Sequence, residues 1–302
     1  MLAWIKIIAA LGISVLLMGS KVIIHVPEGG SVVSSSGLVA CSAGEVCTVD
    51  IDPQHFSDTF IAVAEPGYTF AGWGKAPGAV CRASSNPYCE ELDKSAFAAG
   101  FAPSPYSATR RMNPRFTSTS GSSRPGAPLF SIQSYHRTQY FEVKGKTQQE
   151  VWAQLSGPDN PLKASLGEGK TALGHARFQY RYSYQPAFGS SSASCRVGSG
   201  ELNFTFETTL PALAEKEDAQ QQLRNRWPLL QSMITEHEAG HHAIYHQLVS
   251  LIPQVLEDLG ESPCGELDRK VQVAVAAVVD KVRQSSREYD SQHGSADYLA
   301  QL

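Results

Sequence analysis

The sequence is poor in charged residues, and neither sign of charge is in strong excess. Lys and Arg number 25, Asp and Glu number 29, the formal net charge is −4, and charged residues make up 18% of the chain. Polyanionic partners select for strongly basic surfaces, so this composition favours neither nucleic acid nor an anionic membrane surface as a partner. The low charge and the many Gly, Ser and Thr residues predict a β-containing, exported protein.

The sequence also lacks an apolar run long enough to cross a membrane as a helix. The run from Ile7 to Met18 is about twelve residues long, follows Lys6 and ends in Gly19 and Ser20. A spanning helix needs about 20 apolar residues, whereas the apolar part of a signal peptide needs about 7–15. We predict a signal peptide over 1–20, a secreted or periplasmic mature chain and no stable membrane span, with an uncleaved anchor as the alternative.

Cysteine is scarce but even in number, with six residues in the chain. In an exported protein an even count indicates disulfide bonds, and six cysteines allow fifteen pairings. The spacing favours two local pairs, Cys41–Cys47 and Cys81–Cys89, and one long link, Cys195–Cys264. A zinc site made of cysteines is the alternative, but these spacings are looser than those of the usual zinc ligand pairs.

Short strands separated by turns are predicted over residues 21–102. KVIIHV and DTFIAVAEPGYTFAGWG are rich in β-branched and aromatic residues, and aromatic residues on strands are usually core, so we expect Trp73 and Tyr68 to be buried. GGSVVSSSG, CSAGEVC and PGYTFAGWG, followed by the second cysteine pair, resemble the divergent internalin B-repeat domain of bacterial surface and secreted proteins. The resemblance implies a small β-grasp-like module that serves as an adhesive or spacer unit, and for the adhesive unit a cell-surface ligand is the expected partner.

Residues 103–130 are rich in Pro, Ser, Gly and Arg and show no lasting period. This composition predicts a solvated linker. Regular patterns resume afterwards, and we assign residues 131–302 to a second domain. The chain is thus predicted to consist of a signal peptide, a β module, a linker and a C-terminal domain.

The C-terminal domain combines strands with a pair of long helices. HARFQYRYSYQ and GELNFTFETTLP alternate as half-buried strands do. One helix is predicted at about Trp227–Leu259, with Pro228 in its first turn and Pro253 at a kink, and a second at about Gly265–Tyr289. The short connection GESPCG makes them an antiparallel hairpin. The predicted fold class is α+β, with an antiparallel sheet and a long helix hairpin.

The first long helix contains a sequence with metal-ligand spacing, H-E-x-x-H, formed by His237, Glu238 and His241. Residues four apart share one face of a helix, so the two histidines can bind one ion. The glutamate beside the first histidine is then placed to act as a general base. Because the motif lies within a periodic helix, we predict a Zn²⁺ site rather than a polar helix face.

A second histidine pair, His242 and His246, lies about 100° round the helix from the first. No glutamate follows its first histidine, so we interpret the pair as supporting or surface residues. The longer metzincin motif is not present, because Ile244 and Gln247 occupy the positions of its glycine and third histidine.

A catalytic zinc ion needs a third protein ligand. A helix rises about 1.5 Å per residue, so the antiparallel second helix returns to the level of the motif near its end. The segment REYDSQHG there offers Tyr289, Asp290 and His293. Glu257 and Glu261 lie at the far end of the hairpin, although Glu261 has the offset typical of gluzincins.

Several segments of the C-terminal half resemble a secreted, zinc-dependent protease family of bacteria, catalogued as domain of unknown function 922. They are YFEVKGKTQQE, CRV at 195–197, LP at 210–211, Trp227, HEAGHH, Cys264 and YDSQHG. The likeness covers about residues 131–302, and Ser291 stands where the family carries a threonine. It implies a zincin-like fold and a zinc peptidase activity, and it supports the Cys195–Cys264 bond.

We therefore predict an exported zinc metallopeptidase acting on a protein or peptide substrate. The predicted zinc ligands are His237, His241 and His293, with Glu257 or Glu261 as alternative third ligands. Glu238 is the predicted base and acid, and Tyr289 a donor to the oxyanion. The substrate is expected along an edge strand, ELNFTFE. A non-catalytic adhesion protein with a vestigial metal site and a cell-wall amidase stay open as alternatives.

Overall fold

The computed structural model describes residues 20–293, except residues 53–54, 57, 77–78, 91–108, 120–128, 164–171, 215 and 217. The predicted signal peptide lies outside the described residues, apart from Ser20. The described part of the chain contains strands and helices in several layers, which confirms the α+β class. Within it, no helix has the length and apolar character needed to cross a membrane.

The strands are β1 (Ser20–His25), β2 (Gly30–Ser34), β3 (Ala40–Cys41), β4 (Glu45–Ile51), β5 (Phe60–Ala64), β6 (Tyr68–Trp73), β7 (Tyr88–Cys89), β8 (Thr109–Met112), β9 (Pro114–Ser118), β10 (Phe130–Val143), β11 (His175–Phe188), β12 (Ser194–Leu213) and β13 (Ser262–Pro263). The helices are α1 (Gln148–Ser156), α2 (Gln221–His246), α3 (Leu248–Asp258) and α4 (Leu267–Gln292). A 3₁₀ turn, Cys264–Glu266, leads into α4.

The largest described sheet has the strand order β11-β12-β10-β4-β1-β8, with β13 beside the start of β12. β10 runs parallel to both β12 and β4, whereas β11 and β12 are antiparallel. The prediction of an antiparallel C-terminal sheet is therefore wrong. The connection from β10 to β12 contains α1 and β11, which makes it long enough for the crossover that parallel strands require.

The same sheet joins the two predicted domains, because β1, β4 and β8 come from the N-terminal part and β10–β12 from the C-terminal part. Smaller sheets, β3-β2-β5-β7 and β6-β9, complete the N-terminal part. We call β1 to β9, with their connections, the N-terminal module.

Part of the predicted linker is strand. β8 pairs with β1, and β9 pairs with β6. Met112 is fully buried, and Phe116 packs against the same core, so these strands are fixed by single apolar anchors. Isolated anchors give no lasting period, which is why the composition indicated a tether. The prediction is wrong for residues 109–118, and most of the remaining linker lies outside the described residues.

All three predicted disulfides are present, namely Cys41–Cys47, Cys81–Cys89 and Cys195–Cys264. The first two lie in the core of the N-terminal module, and the third ties the start of β12 to the turn before α4. Trp73 is fully buried, and its indole N–H donates to the Asn86 carbonyl over 2.8 Å, so its predicted core position is confirmed. Tyr68 is only partly buried, so the same prediction is wrong for that residue. Three disulfides fit an extracellular or exported protein.

The predicted helix hairpin is present, but its first arm is two helices. α2 begins at Gln221, so Pro228 lies inside the helix rather than in its first turn. The arm is interrupted at Gln247 and continues as α3, which contains Pro253. α4 then returns and packs against both α3 and α2 through a buried valine face, formed by Val271, Val275, Val279 and Val282.

A buried polar network joins β4, β10 and α2. His136 Nδ1 lies 3.1 Å from His242 Nε2, and His136 Nε2 lies 2.9 Å from Ser134 Oγ. His246 Nε2 lies 3.4 Å from the carboxylate of Glu45, which is fully buried. The second histidine pair is therefore neither on the surface nor part of the H-E-x-x-H face. His242 contacts β10, and His246 makes one of the contacts between the helix and the N-terminal module.

Burial lowers the pKa of His136 and of His242, and the neighbouring histidines lower both further, so that the pKa of His242 is about 3. Both side chains are neutral in the folded protein at neutral pH. An unfolded histidine takes up a proton at a pKa of about 6.5. Below that pH the unfolded state binds more protons than the folded state, and the folded state loses stability.

We expect the free energy of unfolding of the metal-free chain to fall as the pH drops below about 6.5. The loss attributable to His242 is about 1.4 kcal/mol per pH unit, or about 2 kcal/mol at pH 5. Urea unfolding between pH 8 and pH 5 measures it. His242→Phe should flatten the pH dependence by that amount, whereas His25→Asn, at an exposed position, should leave it unchanged. Identical slopes for His242→Phe and wild type would contradict the expectation.

Candidate metal centre

The H-E-x-x-H residues lie in the C-terminal half of α2, where the end of α4 returns beside them. His237 and His241 are one turn apart, and their Nε2 atoms are 3.2 Å apart. Asp290, near the end of α4, places its Oδ1 2.8 Å from His241 Nε2 and 3.4 Å from His237 Nε2. Three atoms that commonly bind metals thus form a small triangle at the junction of two helices.

The triangle is close in size to three corners of a metal coordination sphere. Ligand bonds of about 2.0–2.2 Å in a tetrahedral site separate the ligand atoms by about 3.3–3.6 Å, and the observed separations are 2.8, 3.2 and 3.4 Å. The donor set of two imidazole nitrogens and one carboxylate oxygen occurs in catalytic zinc sites and suits other divalent first-row metals. The residues present therefore fit a divalent metal ion.

The second ring nitrogen of His241 has a defined partner. His241 Nδ1 lies 2.9 Å from Ser286 Oγ, and that hydroxyl lies 2.7 Å from the hydroxyl of Tyr245. When Nδ1–H donates to Ser286, Nε2 carries the lone pair that faces Asp290 and His237. Ser286 is buried and lies one turn before Asp290 on the same face of α4. The sequence analysis did not identify Ser286 as a partner of His241. Its position one turn before Asp290, on the same face of the helix, could have indicated that role.

Glu238 is buried between α2 and the start of β11. Its side chain accepts a hydrogen bond from the backbone N–H of Ala176 and lies against Gly174, where a Cβ atom would come within 2.7 Å of Glu238 Oε1. Burial raises the pKa of Glu238 to about 8, the negative charge of Asp290 acts in the same direction, and the Ala176 N–H opposes them. A carboxyl group with a pKa near neutrality is suited to exchange protons.

Tyr289 packs against both motif histidines, with ring centroids 5.3 Å from His237 and 5.1 Å from His241. Its hydroxyl lies over Gly240, where a Cβ atom would come within 2.2 Å of it. Glycine at this position of the motif is therefore required for the ring to approach the helix. Burial raises the pKa of the Tyr289 hydroxyl, and Glu236 and other nearby carboxylates raise it further. Its role as an oxyanion donor stays a prediction.

His293, the predicted third ligand, does not join the group. It is exposed, its ring stacks on Tyr289 at 4.4 Å, and its Nδ1 lies 3.2 Å from the Tyr289 carbonyl oxygen. α4 continues to Gln292, three residues further than predicted. This extension keeps Asp290 on the face toward α2 and carries His293 past it, so the expected third ligand changes from His293 to Asp290.

The alternative third ligands are remote from the motif. The carboxylate of Glu261 accepts hydrogen bonds from Ser190 and Ser194 near the start of β12. Glu257 is exposed near the end of α3. Both lie at the turn of the hairpin, whereas the motif lies beside its returning end.

A separate cavity of about 350 Å³ lies beside α2, toward the N-terminal module. Leu38, Tyr140, Trp227 and Thr235 are among the residues that line it. None of the three ligand residues lines this cavity. The ligand group is instead open to solvent through Asp290, whose side chain is 58% exposed.

Comparison with known proteins places this site within a family. Residues 138–296, more than half of the chain, match a bacterial family of proteins of unknown function, DUF922, and the chain belongs to that family. The match includes all three candidate ligand residues and Glu238. No curated protein and no solved structure matches the chain. The internalin-type resemblance of residues 21–102 stays a prediction.

Asp290→Ala should weaken Zn²⁺ binding by more than about 100-fold, because losing even an outer hydrogen-bond partner of a ligand costs about 10–100-fold. His293→Ala should bind as wild type does. Glu288→Ala, an exposed position on α4, is the control. Competition with a chromogenic chelator measures the affinities. A loss confined to His293→Ala would return the third ligand to that histidine.

Ser286→Ala should weaken Zn²⁺ binding by about 10–100-fold, because the His241 imidazole loses the partner that fixes its orientation. Ser285→Ala, at the preceding residue of α4, is the matched control and should bind normally. The same competition assay applies. Unchanged affinity in Ser286→Ala would show that the hydroxyl does not orient the ligand.

Proposed function

We propose that this chain is an exported, zinc-dependent hydrolase of peptide bonds. The observation that carries the proposal is the juxtaposition of a His237–His241–Asp290 ligand triangle with the buried carboxyl of Glu238. Two imidazoles at helical spacing, a carboxylate and an adjacent general base are the elements that such hydrolysis requires. The zincin-like fold and the β-grasp-like module belong to the same proposal.

When bound, a zinc ion supplies Lewis acidity, polarising the scissile carbonyl and lowering the pKa of a water molecule. The protein supplies the proton transfers. Glu238 is placed to take a proton from the attacking water on a carboxylate oxygen and to return it to the leaving amine nitrogen. The Ala176 N–H and the close approach of Gly174 fix the position of that carboxylate.

The structure changes the expected substrate strand. ELNFTFE lies within β12, which is paired with β10 on one side and β11 on the other, so it has no open edge. β11 pairs with β12 alone among the described strands and begins at His175, beside Glu238. An extended peptide can add to such an edge through backbone hydrogen bonds. We therefore assign the substrate to the edge of β11.

The position of Glu238 favours catalysis over a purely structural metal site. A structural site needs no acid beside its ligands, and burying a carboxyl group without a role costs stability. Zinc-assisted amide cleavage serves equally for proteins and for the peptides of bacterial cell walls. The two substrate classes are therefore tested side by side.

Glu238→Gln should lower turnover by about 10²–10⁴-fold while zinc stays bound, because the amide fills the same space but cannot shuttle the proton. Hydrolysis of an unfolded protein and of peptidoglycan is measured on zinc-loaded protein of verified metal content. Glu236→Gln, an exposed position on α2, is the control. Full turnover in Glu238→Gln would rule it out as the base. No turnover of either substrate by zinc-loaded wild type would reject the hydrolase.

A further inference from the structure

We propose that the N-terminal module positions the motif segment of α2, and so belongs to the candidate metal centre rather than forming an independent adhesive unit. The inference rests on the proposed metal site and concerns what holds two of its ligands in place. It is carried by two contacts on the same side of the helix. One is made by the loop at Gly37, and the other by Glu45 and the histidine network.

The loop between β2 and β3 touches the motif itself. A Cβ atom on Gly37 would lie 3.0 Å from the Cβ of Ala239, which is the residue after Glu238 in H-E-x-x-H. The next residue of the loop, Leu38, is buried in a core cluster with Leu230 and Ile234 of α2. The loop backbone therefore packs directly on the motif, and a side chain at Gly37 would have to displace one or the other.

Hydrogen bonds hold this loop in one conformation. Asp58 accepts from the Ser36 N–H and from Ser35 Oγ, both over 2.8 Å. Ser34 Oγ accepts from the Val39 N–H over 3.1 Å, and the Ser34 carbonyl accepts from the Gly37 N–H over 3.0 Å. Because the loop is held by these hydrogen bonds, its backbone restricts where α2 can lie.

The second contact lies just after the motif. Glu45 is fully buried, accepts from the Ser42 N–H over 2.7 Å, and faces His246. Its strand, β4, is held in register against β10, which carries His136 to His242. The module therefore contacts α2 at Ala239 and again over the next two turns.

These contacts lie on the back of the metal-binding face. Each residue turns a helix by about 100°, so Ala239, two residues from each motif histidine, lies about 160° round α2 from both His237 and His241. α4, with Asp290, packs on the front. α2 is thus held between the module and α4. The position and rotation of α2 relative to α4 determine the 2.8 and 3.4 Å separations between Asp290 and the two histidines.

The test compares two glycines with nearly the same positive φ. Gly37 has φ +74° and Gly44 has φ +76°, but a Cβ on Gly44 would meet only Glu28 Oε1 at 3.6 Å. Alanine is equally strained at both positions. Gly37→Ala alone pushes on Ala239, so it should weaken Zn²⁺ binding about 10-fold or more, because a displacement of a few tenths of an ångström spoils a metal site.

The readouts are Zn²⁺ affinity and the visible absorption spectrum of the Co²⁺-loaded full chain, with thermal stability recorded alongside. Gly37→Ala should change both, and Gly44→Ala neither. Adding Ala239→Gly to Gly37→Ala removes the colliding Cβ and should restore affinity to the level of Ala239→Gly alone, which is the reference for the loss of the Ala239 methyl group. Glu45→Gln, which keeps the shape of the side chain but replaces the carboxyl group that faces His246 with an amide, is a second variant expected to weaken binding if Gly37→Ala does not fold.

The outcomes separate this inference from the proposed function. Failure of the wild type to bind metal would reject the metal site and the inference with it. Normal binding by wild type, Gly37→Ala and Glu45→Gln would overturn the inference alone. Equal weakening of Gly37→Ala and Gly44→Ala, or no rescue by Ala239→Gly, would trace the effect to general destabilisation and overturn it as well.

Discussion

The candidate centre depends on the antiparallel return of α4 along α2. Neither helix carries a complete ligand set, since α2 supplies two imidazoles and α4 supplies the carboxylate. The Cys195–Cys264 bond anchors the start of this return to the sheet, and the valine face of α4 packs it onto α2 and α3. Ser286 and Asp290 continue that inward face by one and two further turns beyond Val282. The inward face of α4 therefore provides packing contacts along most of its length and the candidate ligand near its end.

Two carboxyl groups near the centre have opposite environments, which assigns them different roles. Asp290 is more than half exposed and lies against two imidazole nitrogens, which is the setting of a metal ligand. Glu238 is buried, and its pKa is raised to about 8, the setting of a group that exchanges a proton. This difference comes from position on the fold, because the start of β11 covers one carboxyl and water reaches the other.

Features determined by neighbouring residues were predictable from the sequence. The motif helix, the hairpin connection and the two local disulfides follow from spacings that a few residues set, and Cys195–Cys264 is then the remaining pair. The parallel pairing of β10 with β12 and the edge position of β11 depend on contacts between distant segments. The pattern of apolar residues within each segment does not indicate which strands pair. The strands hidden in the predicted linker are held by single buried side chains such as Met112.

Counting residues along a helix was not sufficient to identify the third candidate ligand. The expected return of the second helix to the level of the motif was sound, but three additional residues of helix changed which side chain faces inward. A boundary error of this size is ordinary when helix ends are read from a sequence. His293 lies about 60° round the helix and about 4.5 Å further along it than Asp290, so the extended helix presents Asp290 to α2 and carries His293 beyond the motif.

The most direct measurement is X-ray absorption at the zinc edge on the purified, zinc-loaded chain. The account predicts about one tightly bound zinc ion per chain, with two imidazole ligands at about 2.0–2.1 Å and the remaining ligands oxygen. Three imidazoles would contradict the assignment of Asp290, and sulfur ligands would contradict the disulfides. Absence of bound zinc would contradict the central claim that α2 and α4 together form a metal centre.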